Sequence, residues 1–153
     1  MRSLFTALIV LALLSACSRG EQHSGLPTAK IAVETRRGPV TFSVEIAADD
    51  ASREKGLMFR TVLAPNAGML FDFQTPRFVN FWMKNTPLSL DILFIRSDGT
   101  VSTIADNTVP YSTDSIPSSE PVRAVLEING GRSAALGIQP GAKVHAAIFG
   151  NGP

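Results

Sequence analysis

The sequence predicts a β-rich α+β domain, built as a small mixed or antiparallel β-barrel or sandwich-like fold of about eight strands with one or two short helices. Apolar and polar residues alternate over 40–46 and 122–128, which is the pattern of strands with one buried face. A continuous apolar run at 92–95 indicates a strand covered on both faces. The chain has 153 residues, of which 44% are hydrophobic, and this is enough for one domain with a core.

The individual elements are predicted from local signals along the chain. A first strand is predicted around 31–33, and a short helix begins at a cap on Asp49 or Asp50 and ends at Gly56. A second short helix is predicted over 131–136. The remaining strands are predicted at 40–46, 68–73, 78–83, 92–95, 101–105, 122–128 and 144–149.

The first sixteen residues have the pattern of a signal peptide. A short basic start precedes an apolar stretch over 4–14, which as a helix would span only about half of a hydrocarbon core. The next residues, Leu14-Ser15-Ala16-Cys17, resemble a bacterial lipobox, so Cys17 is expected to be the lipidated first residue of the mature protein. Ordinary cleavage after Ala16, which leaves Cys17 as a free thiol, is the alternative.

This leader sets the expected domain organisation and location. Residues 1–16 are the signal peptide, 17–29 are the lipidated cysteine and a flexible tether that contains His23, and 30–149 are the folded domain. Lipid chains on Cys17 would anchor the protein to a membrane. Ser18, in place of the aspartate of the inner-membrane retention rule, favours the outer membrane, facing the periplasm.

Composition argues against a nucleic-acid partner and against two kinds of cysteine site. The chain has 14 basic and 13 acidic side chains, and loss of Arg2 with the leader leaves 13 of each, so nucleic acid is not an expected partner. The single cysteine excludes an intramolecular disulfide and a cysteine-rich zinc site. No cofactor is predicted.

Familiar catalytic motifs are absent from the sequence. It has no nucleophile elbow, no phosphate-binding loop, no dinucleotide fingerprint and no His-Glu-x-x-His. His145 is the only histidine in the predicted domain, and its place in a strand favours a surface or hydrogen-bonded role over catalysis. The segment 107–121 contains three prolines, and it is predicted either as a lid or rim over a pocket or as a plain surface loop.

Five sequence blocks carry a family resemblance. They are Arg53-Glu54-Lys55-Gly56-Leu57-Met58-Phe59-Arg60, Gly68-Met69-Leu70-Phe71-Asp72-Phe73, Phe81-Trp82-Met83-Lys84-Asn85-Thr86, Leu90-Asp91-Ile92-Leu93-Phe94 and Val125-Leu126-Glu127-Ile128-Asn129-Gly130-Gly131. In this order they strongly resemble the domain-of-unknown-function family 192, DUF 192, over nearly the whole domain. Ser89 departs from the pattern, because the family often has proline there. The resemblance implies a small β-rich fold that is often exported, and it implies no activity.

The residues around Trp82 predict a ligand-binding face. If 78–84 is a strand, the apolar residues at 79, 81 and 83 face the core, and Asn80, Trp82 and Lys84 share the other face. An aromatic ring between an amide and an ammonium group offers a stacking platform and hydrogen-bond donors to a small polar or anionic ligand. Asn85 follows directly and is included in this predicted site.

Two acidic residues in apolar strands are further candidates. Asp91 opens the buried run and needs a partner, for which Lys84 or Arg60 is expected. Glu127 is expected to share a strand face with Arg123, away from the core. For Asp91 and Glu127, a structural ion-pair network is favoured over a functional role, because buried acids need partners in any case.

Three functional hypotheses follow. The first is a tethered binding module for a small molecule, peptide or glycan, with Arg60, Trp82, Lys84, Asn85 and Glu127 lining the cleft. The second is an enzyme that uses Lys84 as base or nucleophile with Asp91 or Glu127 as its acidic partner. The third is a soft-metal site made of Met58, Met69 and Met83, although methionines among leucine and phenylalanine are more often core.

Overall fold

The computed structural model describes residues 24–152, so the leader, Cys17 and His23 lie outside the described residues. Within this range the chain forms nine strands and two short α-helices, and a 3-10 turn follows the last strand. The strands are β1 (Thr28–Val33), β2 (Val40–Ala47), β3 (Ala67–Arg77), β4 (Asn80–Phe81), β5 (Leu90–Ile95), β6 (Val101–Ala105), β7 (Ile116–Pro117), β8 (Val122–Asn129) and β9 (Val144–His145); the helices are α1 (Asp50–Lys55) and α2 (Arg132–Leu136).

Seven of the strands form one mixed sheet in the order β6-β5-β8-β3-β2-β1-β9, which curls into a half-barrel. β2 and β3 pair in parallel, and α1 lies in the connection between them, as a parallel crossover requires. β4 and β7 form a separate two-stranded ribbon. The predicted β-rich α+β class is therefore confirmed, in the form of a half-barrel.

The core occupies both faces of this sheet. One cluster includes Phe42, Leu70 and Leu126, and the other includes Met69, Phe71 and Ile92. β8 lies between β3 and β5, and side chains on both of its faces are buried. The face of β8 that carries Arg123 and Glu127 was predicted to lie away from the core, and this prediction is wrong. Alternation of apolar and polar side chains distinguishes the two faces of a strand, but it cannot show that only one face is covered.

Two predicted strands are much shorter than expected. The 78–83 strand is reduced to the two residues of β4, because β3 continues through the predicted turn as far as Arg77. The alternation nevertheless holds: Met83 is buried, whereas Trp82 and Lys84 are exposed. The 144–149 strand ends after two residues and continues as the 3-10 turn at Ala147–Phe149.

The long 107–121 segment packs against the chain that carries Trp82. β7 within it pairs with β4, and the Met83 amide donates to the carbonyl of Ser112 at 2.9 Å. The Tyr111 amide donates to the carbonyl of Thr86 at 3.1 Å. These backbone bonds hold the 80–86 segment in place from one side.

The N-terminal end of the described chain is already part of the fold. β1 begins at Thr28, two residues before the predicted domain start, and the backbone N–H of Ser24 donates to Glu45 at 3.0 Å. Over residues 24–152, no helix has the length and apolar character needed to cross a membrane.

Candidate functional site

A pocket of about 350 Å³ lies between α1, β3 and the 79–86 segment. Its apolar walls are Leu57, Met58, Phe71, Phe73 and Phe81. Phe81 makes edge-to-face contacts with Phe71 and Phe73, at centroid distances of 5.0 and 6.5 Å, and these contacts fix one wall. Concave, mostly apolar pockets of this size are the usual form of a small-molecule site.

Local sequence places α1 against this pocket. Asp49 caps the helix through a 2.9 Å bond from the Ser52 amide, and the Ser52 hydroxyl group completes the reciprocal capping box. Gly56 ends the helix with a φ of 47°, and a Cβ at this position would lie 3.3 Å from the Phe71 ring. A glycine therefore allows the turn at 56–58 to approach β3 closely.

Trp82 and Lys84 line the pocket, as the binding hypothesis requires. Trp82 is 46% exposed, which is unusual for a residue with so large an aromatic side chain. The Lys84 ammonium group lies 4.9 Å from the centroid of this ring, within cation–π range. Since both side chains remain accessible, a ligand could stack on the indole ring and meet a positive charge.

Glu127 also lines the pocket, but it is buried instead of exposed. It lies at the centre of the sheet, in register with Met69 of β3 and Ile92 of β5, and only 4% of its surface is accessible. Its Oε2 atom has no hydrogen-bond partner among residues 24–152. Burial without a compensating charge raises the pKa of Glu127 to about 8. The structural ion pair expected for Glu127 is therefore not formed in the described part of the chain.

Arg60 is directed to a different acid and a different pocket. It forms a buried two-pronged ion pair with Glu45, with nitrogen–oxygen distances of 2.6 and 2.8 Å. Burial alone would raise the pKa of Glu45, but hydrogen bonds from Arg60 and Ser24 hold it below its ordinary value. Both residues line a second cavity of about 440 Å³. Arg60 is thus placed neither beside Trp82 nor beside Asp91.

Among the residues that the structure describes, only backbone groups bond the Asp91 carboxylate. Its carboxylate accepts from the amides of Asn107 at 2.8 Å, Gly131 at 2.9 Å and Ser133 at 2.7 Å. The side chain is fully buried and lies outside the lining of the Trp82 pocket. The expected pairing with Lys84 or Arg60 is wrong, because three main-chain donors satisfy the charge. Asp91 joins the start of β5 to the 107 loop and to α2.

Asn85 and His145 have mainly local contacts. Asn85 adopts a φ of 56°, its carbonyl accepts from the Phe59 amide at 2.8 Å, and its side-chain amide approaches the Met58 sulfur at 3.8 Å. It therefore borders the pocket through Met58. The imidazole of His145 bonds Glu34 at 2.9 Å, at the other end of the strand order.

The methionines of the soft-metal hypothesis do not behave as a ligand set. Met69 and Met83 are buried in the core, and the Met83 sulfur accepts from the Thr108 hydroxyl group at 3.2 Å. Among the residues that the structure describes, no group of three or more His, Cys, Asp or Glu side chains could hold a metal ion.

Sequence reasoning missed the walls of the pocket. Met58 and Phe73 belong to separate elements that only the fold brings together, and each has the pattern of an ordinary core residue. One signal could have indicated Glu127: it is the single acid inside the apolar 124–128 run. A charge in a central strand requires either a partner or a reason to lack one.

Comparison with known proteins identifies relatives but no activity. The model of the family DUF192, described as "Uncharacterized ACR", matches residues 31–146. A crystal structure from Sinorhizobium meliloti 1021, described as that of a suggested transcription regulator, is 45% identical, with 83% of this chain and 99% of that chain covered and a TM-score of 0.79. A protein of unknown function from Novosphingobium aromaticivorans DSM 12444 is 46% identical, with 80% and 88% covered and a TM-score of 0.78. No curated protein matches the chain.

Proposed function

Because this chain belongs to the DUF192 family, whose description gives no activity, we propose its function from the pocket itself. The protein is a binding module that holds a small molecule, or the end of a peptide or glycan, between Trp82 and Glu127. The observation that carries this proposal is a buried carboxyl group without a partner in a pocket with an accessible aromatic ring. Burial of a polar group without a hydrogen bond costs free energy, and a ligand that bonds Glu127 would recover part of it.

The native protein should therefore carry a ligand that depends on Trp82. We expect the full-length protein, purified in mild detergent, to show a larger mass under native than under denaturing conditions. Trp82→Ala should lose this extra mass, because it removes the stacking surface. Phe78→Ala is the matched control, since Phe78 is 69% exposed and lies outside the pocket lining. Equal native and denatured masses in the wild type, or extra mass retained by Trp82→Ala, would contradict the proposal.

A second candidate function is supported by the acidity of Glu127. A carboxyl group with a pKa of about 8 is suited to proton transfer near neutral pH, and Lys84 lines the same pocket. Asp91 has no part in this alternative, because its oxygens are occupied by backbone amides. Recovery of a bound compound unchanged after incubation with fresh protein supports the binding module. Its Glu127-dependent conversion supports an enzyme.

We further propose that the module is a lipoprotein tethered to the outer membrane and facing the periplasm. The proposal is supported by the Leu14-Ser15-Ala16-Cys17 pattern and by the apolar stretch that precedes it. The balanced charge of the chain gives no support to a role in transcription like the one in the description of the S. meliloti relative.

Cys17→Ser should move the protein from the membrane fraction to the soluble periplasmic fraction, because it removes the acceptor of the lipid. Ser18→Ala, one residue further on, should remain in the membrane fraction. Mass spectrometry of the N-terminal peptide should find Cys17 acylated in the wild type. An unmodified Cys17 thiol would overturn the tether.

A further inference from the structure

We infer that the ligand carries a protonated amino group on an apolar body and that its ammonium group pairs with the Glu127 carboxylate. This inference rests on the proposed binding function and specifies the class of ligand. It follows from the placement of Glu127, from where the nearby cations are engaged, and from the chemistry of the pocket walls.

Glu127 offers an acceptor that the described chain leaves unused. Its Oε2 atom is buried, lacks a hydrogen-bond partner and belongs to a residue that lines the pocket. An ionised carboxylate only accepts hydrogen bonds, so the complementary ligand group is a donor. A charged donor is favoured, because it also neutralises the buried negative charge.

The cationic side chains around the pocket are engaged by other groups or exposed to solvent. The Arg53 guanidinium donates to the carbonyls of Ala48 at 2.6 Å and Asp72 at 2.8 Å, and also to Asp50. The Lys84 ammonium group lies over the Trp82 ring. Lys55 is exposed on α1.

Glu45 provides a comparison within the same sheet. Glu45 and Glu127 are both in register with Met69, one on each side of it, so their side chains share a face of the sheet. Both acids are buried, at 5% and 4% exposure, but the guanidinium of Arg60 pairs with Glu45 alone. The ligand's ammonium group pairs with Glu127 as the Arg60 guanidinium pairs with Glu45.

The apolar walls of the pocket determine which body the ligand carries beside its amino group. Leu57, Met58, Phe71 and Phe81 present carbon and sulfur surfaces, which favour an aliphatic or aromatic body. A ligand carboxylate at the base of the pocket would be repelled by ionised Glu127. A hydroxyl group could bond protonated Glu127 but would gain no charge pairing.

Binding of an ammonium group should release a proton. Because the pKa of free Glu127 is about 8, the carboxyl group is mostly protonated at pH 7, whereas the ion pair needs the carboxylate. The displaced proton passes to the buffer, and the ligand keeps its own.

The other charged groups that line the pocket are Arg53, Glu54 and Lys55 from α1 and Lys84 from the 79–86 segment. The neighbouring strands β3 and β5 place the apolar residues Met69 and Ile92 beside Glu127. Affinity should rise about tenfold from pH 6 to pH 7 and level off above pH 8.

Three probes of similar shape test this inference on the full-length protein: phenethylammonium, phenethyl alcohol and hydrocinnamate. Trp82 is the only tryptophan of the chain, so its fluorescence reports binding in the pocket directly. Calorimetry in two buffers of different ionisation enthalpy counts the protons released. We expect phenethylammonium to bind most tightly and to release about 0.9 proton at pH 7.

Glu127→Gln should weaken phenethylammonium binding at least tenfold and abolish proton release, while leaving binding of the alcohol little changed. Glu34→Gln removes an exposed acid outside the pocket and should change neither value. The inference is overturned if the alcohol or hydrocinnamate binds as tightly as the ammonium probe, if Glu127→Gln binds it unchanged, or if it fails to bind at millimolar concentration. A native mass that still exceeds the denatured mass would then preserve the binding module and discard only the ammonium ligand.

Discussion

Asp91→Ala is expected to lower the free energy of unfolding by at least about 4 kcal/mol, because three buried amides lose a charged acceptor at once. Each hydrogen bond to a charged group contributes about 1.5 to 3 kcal/mol, and the three share one carboxylate, so the sum is not fully additive. Domains of this size are stable by about 5 to 15 kcal/mol, so the variant should be close to unfolding at room temperature. Urea titration followed by circular dichroism measures the loss.

Asp91→Asn is the matched control for this substitution. Its amide oxygen can keep the bonds to Asn107 and Gly131, whereas its NH₂ group would face the Ser133 amide. We expect an intermediate loss of stability. If Asp91→Ala were as stable as the wild type, the three backbone bonds would not be what joins β5 to α2.

Glu127→Gln is expected to have the opposite effect and to stabilise the fold by about 2 kcal/mol at pH 8. At that pH the wild-type carboxyl group is ionised in the unfolded chain, so folding must either take up a proton or bury the charge, whereas the amide is neutral in both states. The gain is smaller than the full cost of the buried charge, because the amide of glutamine still lacks partners in the pocket.

The pH dependence of stability separates this effect from those of other acids. The pKa of Glu127 rises from 4.5 in the unfolded chain to about 8 in the fold, so the folded state keeps a proton that the unfolded state releases. Wild-type stability contributed by this group is therefore full below pH 4.5 and is lost by up to about 1.4 kcal/mol per pH unit as pH rises towards 8. Glu127→Gln should abolish this decline.

Glu45→Gln provides the contrasting variant on the other side of Met69. The pKa of Glu45 is lowered, so its contribution is present above pH 4.5 and is lost as pH falls further. The same substitution at this position leaves the buried Arg60 without its charged partner and should destabilise the fold. If both variants changed stability in the same direction, the distinction between the paired and the unpaired acid would be wrong.

The fold was largely predictable because its elements carry strong local signals. Alternation located β2 and β8, and Asp49 with Gly56 defined the ends of α1. Local patterns could not show that β3 continues through Pro76 to Arg77, since proline and its neighbours there also fit a turn. The length of β4 was likewise set by its partner β7, which lies more than thirty residues away.

The candidate site was predictable only in part. The alternation around Trp82 indicated which side chains are exposed, and the structure places Trp82, Lys84 and Glu127 in one pocket. The partners of the charged residues were beyond local reasoning, because Arg60 reaches Glu45 and Asp91 reaches Ser133 only through the tertiary fold. Glu127 was expected to be paired, and its buried Oε2 atom instead has no hydrogen-bond partner in the described chain.

The account depends most on the state of the Glu127 carboxyl group, and its pKa can be measured directly. A ¹³C NMR titration of the side-chain carboxyl carbons, with Glu127→Gln to assign the resonance, follows this group in the folded protein without any ligand. We predict a midpoint of about 8. A midpoint near the ordinary value of 4.5 would contradict the account, because the carboxyl group would then be solvated or paired and the pocket would hold no unpartnered acid for a ligand to bind.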